Sequence, residues 1–184
     1  MGYTMKAMNT SSFDDFVKRQ QGGSFDWTKE RDEWLRNLES LYKQVESFLL
    51  QYVTSGEINL RYRAVTLNEE HIGSYEAKQL IISIGRSEIH LEPIGTFIIG
   101  AKGRVDIVGP NGRAQLLLVD KKAENTRSLI RVTVTFGEKA PVPAPQPAEP
   151  VEYAWKCLTR PPARDLLDLT RESFHQLLME VSNG

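Results

Sequence analysis

Glu88, His90 and Glu92 occupy alternate positions, so an extended backbone sets all three on one face. Two carboxylates and an imidazole at that spacing could approach a cation or a polar substrate. No second histidine or cysteine lies nearby in sequence, and catalytic zinc sites draw on more nitrogen than this. The pattern therefore reads first as a solvated strand face opposite Ile89 and Leu91. Arg104 and Asp106 alternate in the same way. With Arg61, Arg63, Arg113 and Arg131 they would line the polar side of a sheet, where guanidinium groups suit an anionic ligand. Glu88, Glu92 and Asp106 are the competing partners for those arginines, and exposed pairs of that kind contribute little. The candidate ligand set is Arg61, Arg63, His90, Arg104 and Asp106.

Other reactive residues carry less. The single cysteine, Cys157, sits among apolar neighbours and reads as a buried, inert thiol. His71 lies beside Glu69 and Glu70 and has no defined nucleophile, while His175 flanks the apolar stripe of a C-terminal helix. Gly95, Gly100, Gly103, Gly109 and Gly112 match neither a dinucleotide-binding nor a phosphate-loop spacing, so they read as turns between strands. No catalytic set converges, and no metal site or cofactor is expected.

The elements that would hold these residues begin with a long helix. Trp34, Leu38, Leu41, Val45, Phe48 and Tyr52 recur in steps of three and four, with Leu35, Tyr42 and Leu49 beside them. That spacing predicts an amphipathic helix over residues 27–53, with a stripe wider than a zipper seam. Asp26 is the expected N-cap and Gly56 the expected stop. Before it, residues 1–11 read as flexible and residues 12–19 as a short helix.

After Gly56 the period changes to two. Strands are expected at residues 58–64, 80–84, 87–91, 96–99, 104–108, 114–119, 130–136 and 151–159, with a polar loop at 68–75. Gly85-Arg86 has the chemistry of a type II′ hairpin and Pro110-Asn111 that of a tight turn. Pro93 ends the third strand or marks an edge. Connections this short force antiparallel neighbours. A proline-alternating stretch at 140–150 reads as an extended spacer, and residues 171–182 as a closing helix capped by Thr170 with a Leu169–Phe174 staple. The predicted fold is α+β: an antiparallel meander of seven to eight strands, strongly twisted or a partial barrel, packed on the long helix and closed by the short one. Residues 12–184 are read as one domain.

Composition narrows the function. The chain has 184 residues, 40% of them hydrophobic, and a net charge of −1 with no basic segment. That removes the electrostatic footprint of a nucleic-acid binder or of a protein drawn to anionic membranes. No apolar run reaches membrane-spanning length, no secretory signal is visible, and one cysteine suits a reducing compartment, so a cytoplasmic location is expected. The favoured reading is a non-enzymatic interaction or accessory protein that binds a protein partner or itself, in one version by exchanging residues 151–182 between copies. The competing reading is a small-anion-binding or hydrolytic domain on the polar sheet face.

Overall fold

The computed structural model describes residues 26–96, 100–129 and 151–183. The helix expected at 12–19, the strand at 130–136, the spacer at 140–150 and most of the strand at 96–99 lie outside the described residues.

Helix α1 (Trp27–Thr54) starts where Asp26 accepts from the Lys29 backbone N–H at 3.0 Å, with Glu30 in the first turn. Both groups answer the unpaired amides and positive end of a helix N-terminus. The chain leaves the helix through Ser55 and Gly56, whose φ is 78°. Seven strands follow: β1 (Ile58–Glu69), β2 (Gly73–Ile84), β3 (Ser87–Gly95), β4 (Gly103–Gly109), β5 (Gly112–Asp120), β6 (Tyr153–Leu158) and β7 (Leu166–Asp168), before helix α2 (Arg171–Asn183). The strands pair in chain order, every neighbour antiparallel. Among the described residues the sheet is an open meander with β1 and β7 as its edges and does not close into a barrel.

The main departures from expectation are two boundaries and one strand that was not expected. The loop expected at 68–75 is a tight hairpin end, with pairing carried out to Glu69 opposite Gly73. β3 runs past Pro93 to Gly95, and the register shifts between those two residues, a bulge of the kind that accommodates a proline. β7 follows the Pro161-Pro162 pair and is only three residues long. The β2–β3 turn is as expected: Gly85 takes φ 58° at the first central position, where a side chain would be strained.

Both helices cover one face of the sheet. Trp34, Leu38, Leu41, Val45 and Leu49 of α1 and Phe174, Leu177, Leu178 and Val181 of α2 share a core with Leu80, Ile82, Ile89, Leu91, Val105, Ile107, Leu116, Leu118, Trp155 and Cys157. Gly103 is the point of closest approach. A Cβ built there would lie 2.2 Å from the Trp34 ring, so only glycine lets α1 seat its tryptophan on β4. Tyr75 and Ala77 also join this core, although Leu80 and Ile82 point to the same core from alternate positions. β3 pairs with β2 only over residues 80–84. The overhanging two-stranded ribbon is free to twist more strongly and turn its other face inward.

The second face is not uniformly polar. The unbroken apolar run Leu116-Leu117-Leu118-Val119 supplies both faces of β5. Leu117 and Val119 form a small second core with Ala123 and Leu166. The polar half of that face, over β1 to β4, carries the candidate ligand residues.

Candidate functional site

The five candidate residues share the sheet face opposite the helices but divide into separate ion-paired groups. Arg61 on β1 donates to Glu88 Oε1 at 2.6 Å, and His90 Nε2 lies 3.8 Å from the other oxygen of that carboxylate. The row across the sheet explains this: Arg61 is opposite Ile81, Ile81 opposite His90, and His90 opposite Val108. Arg63 lies one pleat further along and donates to the buried Gln79 at 2.6 Å.

The second group is centred on Asp106. Its carboxylate is completely buried and takes a two-point fork from Arg104, Nε to Oδ1 at 2.6 Å and Nη2 to Oδ2 at 2.8 Å. Arg113 adds a third contact at 3.3 Å and also lies 3.8 Å from Glu92. Register places these groups together, since Asp106 is opposite Glu92 on one side and Gln115 on the other. Bidentate charge-assisted bonds of this geometry are the strong ones, and a buried carboxylate without them would be costly. The arginines of this face thus have their charge answered by Glu88, Asp106 and Glu92, with Arg63 as the exception; Arg131 lies outside the described residues. The two best-formed cavities among the described residues are elsewhere.

Several polar clusters were not visible as such in the sequence. Glu69 closes the β1–β2 hairpin onto the end of β3. Its carboxylate accepts from the Tyr75 hydroxyl, from the Thr96 backbone N–H at 2.9 Å and from the Thr96 hydroxyl at 2.7 Å. Burial, and then donation to that carboxylate, push the Tyr75 hydroxyl well above the usual tyrosine range. Tyr42 of α1 donates to the Lys78 carbonyl at 2.5 Å, and burial raises its hydroxyl in the same way. His71, at the hairpin end, stacks on Trp27 with ring centroids 4.9 Å apart. These contacts pin the overhanging ribbon to α1.

Lys156 is buried on the second face of β6, where Nζ donates to the Ala123 carbonyl at 2.8 Å and pairs with Asp168 at 3.1 Å. It ties the segment after β5 to β6 and β7. Cys157, on the other face, is buried as expected and 3.6 Å from the Ser173 hydroxyl; burial pushes its thiol up, away from the reactive thiolate. His175 lies half-buried, its Nε2 3.3 Å from the Phe48 carbonyl and its ring edge-on to Tyr52, so it joins α2 to α1. Among the described residues, no group of three or more His, Cys, Asp or Glu side chains is arranged to hold a metal ion, and no helix is long and apolar enough to cross a membrane.

Comparison of the chain with protein-family models, with curated proteins and with solved structures finds no match in any of the three.

Proposed function

We propose that the protein acts as a non-enzymatic interaction module, and that β1 is the element that recruits its partner. One observation carries this reading: the open rim of the sheet. β1 is twelve residues long, pairs only with β2 among the described residues, and has seven exposed residues. An unpaired edge presents a row of N–H and C=O groups, and folds cover, shorten or charge such rows unless they serve to bind an added strand.

The residues of β1 define the occupant. Arg61 and Arg63 stand on one face of the rim, Leu60 and Tyr62 on the other. The fitting partner is an extended segment with a carboxylate opposite Arg63, the arginine of this strand with no ion pair, and apolar side chains flanking it. A second copy fits less well. It would bring the same two arginines and no carboxylate between residues 58 and 68. The competing anion-binding role of the sheet face is weakened by the ion pairs that already occupy it.

The test is capture of partners from native lysate by the full chain and by the variants Arg63→Glu and Tyr62→Ser, followed by amide exchange on the purified complex. The expected result is a partner held by the wild type, lost by both variants, and slowing exchange along β1. Equal retention by the folded variants, or protection confined to other elements, would refute the assignment.

A further inference from the structure

A cleft lies at the opposite rim of the sheet, between two loops that hydrogen-bond to each other. It has a volume of about 270 Å³ and is lined by Asn125, Thr126, Arg127, Pro162, Ala163, Arg164 and Asp165. One wall is the turn after β5, the other the connection from β6 to β7. The walls are tied together. The Thr126 N–H donates to the Arg164 carbonyl at 3.3 Å and the Leu166 N–H to the Glu124 carbonyl at 2.8 Å, while within the second wall the Asp165 N–H donates to the Thr159 hydroxyl at 2.7 Å. The Lys156 contact to Ala123 braces the first wall from below.

Several donors in this cleft have no acceptor among the described residues. Neither the Arg127 nor the Arg164 guanidinium forms an ion pair among the described residues; Arg36, Arg63, Arg86 and Arg171 form none either, but only Arg127 and Arg164 line one cleft together. The Asn125 side-chain Oδ1 accepts from the Ser128 N–H at 3.0 Å, and its Nδ2 donates to no acceptor among the described residues. The backbone N–H groups of Ala163 and Arg164 donate to no acceptor among the described residues. Arg164 itself holds φ 52°, left-handed and unfavourable for any residue with a Cβ. Successive amides around a left-handed residue form the concave donor arrangement that suits anions.

We propose that this cleft binds a phosphate monoester that also carries a hydroxyl group. Two guanidinium groups match the two charges of a phosphate monoester better than the single charge of a carboxylate, and their forked N–H groups fit its oxygens. Asp165 is the one carboxylate in the lining, and it takes the ligand's hydroxyl as a hydrogen-bond donor. The volume equals the liquid share of about nine waters, enough for a phosphate with a short polyol. The site stands at the β6–β7 end of the sheet and does not depend on the role proposed for β1.

The probes are glycerol 3-phosphate, inorganic phosphate and glycerol, added to the full chain at constant ionic strength and followed by amide NMR shifts and melting temperature. Glycerol 3-phosphate is expected to shift amides of residues 125–127 and 162–165 and to raise the melting temperature. Inorganic phosphate binds the same residues more weakly, and glycerol does not bind. Arg127→Gln and Arg164→Gly each weaken binding by about tenfold or more, as loss of a charge-assisted fork implies. Arg164→Gly melts at or above the wild-type temperature, because glycine accepts the left-handed backbone, so its lost binding is not lost folding. Absence of shifts with glycerol 3-phosphate, shifts centred outside the cleft, or undiminished binding by Arg164→Gly would overturn the proposal. Binding of inorganic phosphate as tight as that of glycerol 3-phosphate would overturn the assignment of Asp165.

Discussion

Gly103→Ala perturbs the contact on which the seating of α1 depends. A Cβ at that position would stand 2.2 Å from Cζ3 and 2.6 Å from Cε3 of Trp34. Carbon atoms in contact sit at about 3.5–4.0 Å, so the overlap is more than an ångström. Trp34 is only 1% exposed, and Trp155 lies against it with ring centroids 6.1 Å apart. The ring has no open side to swing into, and relief requires α1 to lift from β4. Overpacking of this kind costs about 1–3 kcal/mol. The intrinsic effect of replacing glycine inside a strand runs the other way by about 0.5–1 kcal/mol, so the net loss is expected at no more than about 2.5 kcal/mol, the larger overpacking cost less the smaller gain. The assay is urea unfolding followed by far-ultraviolet circular dichroism, in the wild type and in a Trp34→Leu background that removes the ring. In the Trp34→Leu protein the same alanine should be neutral or stabilising, giving a coupling of about 1–3 kcal/mol. A Gly103→Ala protein as stable as wild type, or an equal cost in both backgrounds, would refute the packing argument.

Two further predictions concern buried polar groups. The hydroxyls of Tyr42 and Tyr75 are raised by burial above the unfolded value, so their contribution is intact below about pH 10 and is lost as pH climbs beyond it. Each should add about 1.4 kcal/mol per pH unit to the alkaline loss of stability; Tyr42→Phe and Tyr75→Phe should flatten the curve in denaturation titrations, and an unchanged slope would contradict the assignment. Asp106→Asn removes the charge that answers Arg104 and Arg113, and should cost about 1–3 kcal/mol by urea unfolding, at the low end because both arginines reach solvent. A loss below a few tenths would mean that the buried carboxylate is dispensable.

The parts legible in the sequence were those set by local pattern. The step of three and four from Trp34 to Tyr52 gave α1 and its buried face, and Gly85-Arg86 and Pro110-Asn111 gave two turns. Alternation along β3 and β4 placed His90, Arg104 and Asp106 on the sheet's outer face, and the opposing carboxylates were identifiable from the same alternation. What the pattern hid depends on distant partners. Residues 68–75 looked like a loop because Asn68, Glu69 and Ser74 are polar, yet Glu69 is occupied by Tyr75 and by Thr96 just past the end of β3. The complete burial of Asp106 follows from Arg104 and Arg113 closing over it, not from its neighbours in sequence. β7 is too short to show a period, and nothing in the residue types around Arg164 announces a left-handed backbone.

Amide exchange along β1 in the free, unpartnered protein tests the central claim most directly. If the rim is open, amides bonded to β2 exchange slowly and those pointing outward exchange fast, so protection alternates with a period of two from residue 58 to 69. Slow exchange at every amide of that strand would show an edge already covered, and would contradict the account of how the protein recruits a partner.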